Sequence, residues 1–134
     1  MFDLFNKFAV DEKKEVEGVE ISLGDGAFIT VARSDNQNFN EKILEASEKH
    51  LADIKALPKK EAVELDRKIL CGVMAGTILT GFRGMSYKGK ALKYSVENAT
   101  MLLLELKEFF KLVRSHSMNI ENYRVKIETD DVKN

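Results

Sequence analysis

Residues 77–113 read TILTGFRGMSYKGKALKYSVENATMLLLELKEFFKLV, and this stretch joins the end of one apolar helix to the start of the next. Glycine after an apolar run accepts the left-handed backbone that a helix end requires, so Gly81 is predicted to end the first helix. Residues 88–94 then read as a basic, extended or turn-like crossing. Ser95 is predicted to cap the second helix, with Glu97 and Asn98 in its first turn, where a negative charge is favourable.

The helix that follows Ser95 carries an apolar stripe that another surface must cover. The members of the stripe recur at helical spacing: Ala99, Leu102, Leu103, Leu106, Phe109, Phe110 and Val113. The pattern therefore predicts one amphipathic helix from Ser95 to about Val113.

Three features of this stretch resemble the tail assembly chaperones of long-tailed, siphovirus-type bacteriophages. They are Gly81-Phe82, the loop containing Gly89-Lys90, and Tyr94-Ser95-Val96-Glu97-Asn98-Ala99 before a leucine-rich helix. That family often carries Gly-Trp at the helix end, Asp-Gly-Lys in the loop, and Tyr-Ser-Pro-Glu-Asn-Ala before a Leu-Leu-x-x-Leu helix. Here Phe82 replaces the tryptophan, Val96 replaces the proline, and Arg83-Gly84-Met85 replaces an often more acidic linker.

The resemblance spans about residues 21–113 and is most specific over residues 94–106. It implies a protein that binds the tape-measure protein in the cytoplasm of the host cell and assists tail tube assembly, with tube subunits as further partners. Client contacts would come from apolar residues, and the candidates are Phe2, Phe5, Phe8, Phe82, Leu103, Phe109 and Phe110. A protein of the tail that stays in the virion, as a structural subunit or connector, is the alternative.

Composition sets the class of protein. The chain has 134 residues, which fits one domain that buries roughly two-thirds of its unfolded surface. Its 21 basic and 22 acidic residues leave a formal net charge of −1, so there is no electrostatic reason to expect nucleic-acid binding. A single cysteine excludes an internal disulfide and any C-x-x-C motif, which favours a reducing compartment.

Neither a secretory signal nor a membrane span is expected. Residues 1–9 are apolar, but they contain Asp3 and lack both a basic leader and a long hydrophobic core. The longest apolar run, Ile69 to Phe82, has about 14 residues where a span needs roughly 20. It is predicted to be a buried core helix.

Residues 16–33 are predicted to form a β-hairpin. With a three-residue loop at Gly24-Asp25-Gly26, and Gly26 in the left-handed position, the facing pairs are all apolar: Leu23 with Ala27, Ile21 with Ile29 and Val19 with Val31. A two-residue loop would move one strand's apolar set to the other face, which a buried face penalises. The hairpin face must then lie on the helices or pair across a subunit boundary.

Helices are predicted on both sides of the single proline, Pro58. One runs from about Phe39 to Ala56 after a polar segment that can cap it, and the next runs from about Lys60 to Thr80. Gly72 and Gly76 lie four residues apart in the second helix and are interpreted as a groove for close packing. A last short helix, capped by Ser117 or Asn119, is expected to contain Ile120, Tyr123 and Ile127.

Phenylalanines dominate the first eight residues, where Phe2, Phe5 and Phe8 precede a charged patch at residues 11–15. A helix this short is marginal alone in water. Two interpretations remain open. The segment packs on its own domain or frays, or it is an exposed apolar surface for another protein.

Catalytic chemistry has little support in the sequence. His50 and His116 belong to no spaced ligand cluster, and Cys71 lies in an apolar helix where burial keeps a thiol inert. The glycines form no phosphate-binding pattern. The lysines near Tyr87 and Tyr94 would attract a nucleic acid only weakly and are interpreted as a solvated loop. We therefore expect no enzyme, no metal and no cofactor.

The expected fold is α+β, with an N-terminal β-hairpin packed on a mainly helical domain of about four helices. The expected organisation is an N-terminal segment at residues 1–15 with flexible character, one domain at residues 16–128 and a loose tail at residues 129–134. Self-association is compatible with the hairpin edge or the N-terminal phenylalanines.

Overall fold

The computed structural model describes residues 1–125 and confirms the predicted α+β class. In chain order, its elements are α1 (Leu4–Phe8), α2 (Glu12–Glu17), β1 (Val19–Gly24), β2 (Ala27–Val31), α3 (Gln37–Ala56), α4 (Lys59–Thr77), β3 (Leu79–Arg83), β4 (Met85–Tyr87), β5 (Lys90–Leu92), α5 (Val96–Glu105), α6 (Lys107–Ser117) and a 3₁₀ turn (Ile120–Asn122). Strands β1, β2 and β3 form an antiparallel sheet in that order, and β4 pairs with β5.

The hairpin keeps the predicted register but not the predicted loop. Val19 faces Val31 and Ile21 faces Ile29, as expected. The turn, however, has two residues, Asp25 and Gly26, both at positive φ, and Gly24 pairs with Ala27. The prediction that Leu23 faces Ala27 was wrong, because a bulge between Ser22 and Gly24 absorbs one residue. The bulge lets a two-residue turn coexist with one buried apolar face.

Gly81 does not end a helix. Helix α4 ends at Thr77, after non-helical backbone at Ala75 and Gly76, and Gly81 lies in β3 opposite Thr30. A short apolar run can be a helix end or a buried strand, and periodicity alone does not separate the two. Pairing with β2 decides in favour of the strand.

Helices α3 and α4 lie on either side of Pro58, as predicted. The side chain of Asn36 begins α3 by accepting the N–H of Phe39 over 3.0 Å. Helix α3 packs mainly on α4. Within the described part of the chain, no residue of α3 is fully buried. The pair therefore forms a helical hairpin in which α4 supplies the fully buried core residues and α3 contributes partly buried Phe39.

The predicted packing groove at Gly72 and Gly76 was wrong. A Cβ at Gly72 would meet no atom within 4 Å, so no other element packs closely against this glycine. Gly76 instead has a φ of 90°, which an L-residue adopts only with strain. Its role is to turn the chain from α4 towards β3.

The region predicted as one helix from Ser95 to Val113 is two helices, α5 and α6. They meet at Leu106, whose φ of −112° and ψ of 91° are extended. A guanidinium nitrogen of Arg67 donates to the carbonyl oxygens of Leu103 and Leu104, at 3.1 and 3.4 Å. Because an outside donor satisfies these carbonyls, the helix can break and turn both apolar faces towards the core.

After α6, Asn119 caps the 3₁₀ turn by accepting the N–H of Glu121 over 3.0 Å. This is the start predicted for the last short helix, but the turn ends at Asn122. Ile127 and the predicted tail at residues 129–134 lie outside the described residues. The division at residues 15 and 128 stays a prediction.

The core lies between the inner face of the three-stranded sheet and helices α4, α5 and α6. Its members are buried apolar side chains: Ile29, Val31, Cys71, Met74, Ala75, Ile78, Leu79, Phe82, Ala99, Leu102, Leu103, Phe110 and Val113. Helix α1 and helix α2 contribute no buried residue to it. The N-terminal segment therefore lies at the edge of the domain, outside the core.

Candidate protein-binding surface

Residues 1–8, which we call the N-terminal hook, place a cluster of apolar side chains in solvent. Phe2, Leu4, Phe5 and Phe8 are each between 60% and 67% exposed. The carboxylate of Asp3 accepts the N–H of Phe5 over 3.0 Å and so begins α1. The ring centroids of Phe2 and Phe8 lie 6.1 Å apart. The hook is therefore a short, capped helix with an exposed aromatic cluster.

The hook is attached through backbone hydrogen bonds at its C-terminal end. The N–H of Asp11 donates to the carbonyl oxygen of Tyr123 over 2.7 Å, and the N–H of Val125 donates to that of Ala9 over 3.2 Å. The hydroxyl of buried Tyr123 in turn donates to the carbonyl oxygen of Val31 over 3.0 Å. Residues 9–11 are thus held to the sheet while residues 1–8 extend beyond this anchor.

A second apolar surface is a groove between α3, α4 and α6, which we call the three-helix groove. It encloses about 280 Å³. Its apolar lining consists of Phe39, Leu70, Met74, Ile78, Phe110 and Met118, and Ser34, Arg114 and Ser117 supply its polar side. Met118 is 61% exposed and lies at the rim. The groove can accept an apolar side chain from another molecule.

Four of the predicted contact residues lie away from the solvent. Phe82 and Leu103 are buried in the core, and Phe110 is buried at the base of the three-helix groove. Phe109 is half-buried against the core. The ring of Phe82 contacts Tyr94 edge-on, with centroids 5.1 Å apart. Because the chain's own side chains cover these residues, the hook phenylalanines are the predicted contacts that the fold leaves exposed.

The motif at residues 94–98 has a structural role. The hydroxyl of Ser95 accepts the N–H of Asn98 over 3.0 Å, which confirms the predicted cap of α5, and Glu97 lies in the first turn. The side chain of Asn98 donates to the carbonyl oxygen of Lys93 over 2.8 Å. The hydroxyl of Tyr94 donates to that of Leu79, also over 2.8 Å, and burial raises the pKa of this phenol. The motif therefore locks the start of α5 onto β3.

The model of one known family, described as YdaY prophage protein, matches residues 34–134, about three quarters of the chain. The chain belongs to the YdaY prophage protein family. No curated protein and no solved structure matches it. The matched region contains the whole three-helix groove, whereas the hook and the β1–β2 hairpin precede it. The resemblance to bacteriophage proteins is confirmed at this level: the chain is a prophage protein.

Reactive side chains in the prophage protein are dispersed. Within residues 1–125, no group of three His, Cys, Asp or Glu residues is placed to hold a metal ion. Cys71 is fully buried, and burial raises the pKa of its thiol. His50 has Asp53 at 3.9 Å. No helix among these residues combines the length and apolar character that crossing a bilayer requires.

The groove residues of this YdaY-family protein were not identified from the sequence. Phe39 was predicted to begin a helix and Leu70 falls within the apolar run of the next helix, but neither prediction indicated a groove, and no role was predicted for Met118. The residues that line the groove range from Ser34 to Met118, so no local pattern marks it. Met118 caps the C-terminal end of α6, and only the structure shows that its side chain is exposed beside the groove.

Proposed function

We propose that this prophage protein is a tail assembly chaperone that binds the tape-measure protein in the host cytoplasm and assists tube assembly without catalysis. The observation that carries the proposal is the hook: three phenylalanines and a leucine, each at least 60% exposed, within eight residues. Monomeric proteins rarely expose a contiguous apolar patch this dense unless it binds something. The resemblance at residues 94–106 supports the choice of client.

The physical basis would be temporary cover for an apolar helix. A tape-measure protein is a long chain that tube subunits surround as the tail grows, and its apolar helical surface needs protection before then. Helical segments bind through side chains at helical spacing that enter apolar surfaces on the partner. The hook supplies phenylalanine rings, and aromatic residues are enriched in protein interfaces. Tube subunits would later displace the chaperone.

Copurification from cells that coexpress the tape-measure protein of the same prophage tests the proposal. The tagged wild-type chain is expected to retain the tape-measure protein, and Phe2→Ser/Phe5→Ser/Phe8→Ser is expected to lose it. The matched control is Leu44→Ser/Leu51→Ser, because these α3 leucines are 62% and 50% exposed but lie outside the hook. The control should retain the client.

Mass spectrometry of purified virions separates this proposal from a tail structural protein. A chaperone leaves before the particle is complete, so the chain should be absent from virions and present in lysates. Stoichiometric recovery from virions would refute the proposal. Lack of tape-measure retention at low salt by the wild-type chain would also refute it.

A further inference from the structure

We propose that the N-terminal hook of one copy binds the three-helix groove of a second copy, and that the two copies exchange hooks reciprocally in a closed dimer. The inference concerns the free protein and requires no client. Each chain carries both halves of the contact: an aromatic cluster that its own domain leaves exposed, and an apolar groove lined by Phe39, Leu70 and Phe110.

Size and chemistry match between the two halves. An apolar cavity of about 150 Å³ holds one benzene molecule, so a groove of about 280 Å³ admits one phenylalanine ring with room for part of a second. Met74 and Met118 line the groove, and thioether sulfur makes favourable contacts with aromatic rings. One or two of Phe2, Phe5 and Phe8 can therefore enter the groove.

Charge is complementary as well. Arg114 is the charged residue of the groove lining, and it is exposed. Asp3 lies between Phe2 and Phe5 in the hook, and one of its carboxylate oxygens caps α1. Its second oxygen is available for a guanidinium when the flanking phenylalanines enter the groove. The same polar pair would fix the direction of the hook in the groove.

The positions of the hook and the groove favour reciprocal exchange. Ser117 lines the groove, and its carbonyl oxygen accepts the N–H of Ser34 over 3.0 Å. Six residues later, Tyr123 holds the anchor of the hook, and its hydroxyl lies 3.4 Å from the carbonyl oxygen of His116. The anchor of the hook is thus linked through residues 116–123 to the segment that lines the groove, and a two-fold axis that brought each hook to the partner's groove would close the assembly.

Sedimentation equilibrium of the purified chain, without client, tests the inference. The wild-type protein is expected to show twice the monomer mass of 15.2 kDa. Two variants should weaken self-association by at least about tenfold: Phe2→Ser/Phe5→Ser/Phe8→Ser in the hook, and Arg114→Glu/Met118→Glu in the groove. The groove pair is exposed, so the fold should survive, which circular dichroism checks. Leu44→Ser/Leu51→Ser should remain dimeric.

Mixing the two variants distinguishes hook-to-groove binding from pairing between hooks. The hook variant keeps an intact groove and the groove variant keeps an intact hook, so the mixture should regain one of the two contacts and form a weaker heterodimer. A monomeric wild-type chain at about 100 μM would overturn the inference, as would masses that grow without limit. So would a groove variant that stays dimeric or a mixture that stays monomeric. Client retention is measured separately, so either proposal can fail alone.

Discussion

The hydroxyl of Tyr123 donates a hydrogen bond of 3.0 Å to the carbonyl oxygen of Val31, and both residues are fully buried. The carbonyl oxygen of Tyr123 also accepts the N–H of Asp11 over 2.7 Å. One residue near the end of the described chain therefore joins the anchor of the hook to the central strand of the sheet.

Tyr123→Phe should lower the free energy of unfolding by about 1–3 kcal/mol, because it leaves the buried carbonyl oxygen of Val31 without its donor. Urea denaturation measures the change. The matched control is Tyr87→Phe. The hydroxyl of Tyr87 donates to exposed Glu105 over 2.8 Å, so its removal should lower the free energy of unfolding by less than about 0.5 kcal/mol. Equal losses in the two variants would contradict the assigned role of Tyr123.

Alkaline pH should destabilise the fold through Tyr123. Burial raises the pKa of its phenol from 10.0 to about 12. The phenol has the lower pKa in the unfolded chain, so the unfolded chain loses this proton at a lower pH than the folded chain does. The contribution of Tyr123 to the free energy of unfolding is therefore complete below pH 10 and is lost as the pH rises through about 12. Urea midpoints measured across this range should fall less steeply for Tyr123→Phe than for the wild type. Parallel slopes would show that Tyr123 is not the titrating group.

Asn36→Ala should destabilise the protein by about 2–4 kcal/mol, because it removes a helix cap together with one buried and one partly buried hydrogen bond. The amide of Asn36 donates to the carbonyl oxygens of Arg33 and Thr77, at 2.6 and 2.9 Å, in addition to its cap. Asn36→Ser keeps only the cap, so its free energy of unfolding should lie between those of the wild type and Asn36→Ala. Asn38→Ala, at an exposed position of α3, should stay within about 0.5 kcal/mol of wild type in thermal unfolding.

Gly72→Ala should stabilise the protein by about 0.5–1 kcal/mol, since alanine is the better helix former and its Cβ would meet open space. Gly84→Ala is the opposite case. Gly84 has a φ of 72°, and a Cβ there would overlap the carbonyl oxygen of Gly26. Calorimetry should show a raised melting temperature for the first variant and a lowered one for the second. A destabilised Gly72→Ala would mean that a neighbour approaches this face of α4.

Truncation of a phenylalanine should lower the free energy of unfolding strongly in the core and only slightly in the hook. Phe82→Ala is expected to cost about 3–5 kcal/mol, because it opens a cavity beside Tyr94 in the core. Phe5→Ala should change the free energy of unfolding of the monomer by less than about 0.5 kcal/mol, because the side chain is 64% exposed. Denaturation of dilute protein measures both. A large loss for Phe5→Ala would place the hook against its own domain.

Local rules anticipated much of the fold. Ser95 caps α5 because a hydroxyl before an apolar stripe can satisfy a free backbone N–H, and that chemistry needs no distant partner. The pairing of Val19 with Val31 followed from strand alternation around a glycine-rich turn. An exposed aromatic cluster at residues 1–8 was one of two open interpretations, because a helix this short is marginal alone in water and must pack on its own domain, fray or bind another protein.

Other features depended on partners that sequence spacing does not show. Gly81 lies in a strand because β2 offers it a backbone partner, and the chain breaks at Leu106 because Arg67, far away in sequence, satisfies the freed carbonyls. In the same way, the three-helix groove exists only where Phe39 of α3, Leu70 of α4 and Met118, directly after α6, come together.

The sequence alone determined the fold class, the cap at Ser95 and the pairing of Val19 with Val31 and of Ile21 with Ile29, because the cap and the pairing rest on hydrogen bonds or alternation within a few residues. The tertiary structure alone decided which phenylalanines remain in solvent. Phe82 and Phe110 are covered by elements distant in sequence, whereas Phe2, Phe5 and Phe8 have no such cover among the described residues. Burial is a property of the assembled packing, so it could not be read from residue type or spacing.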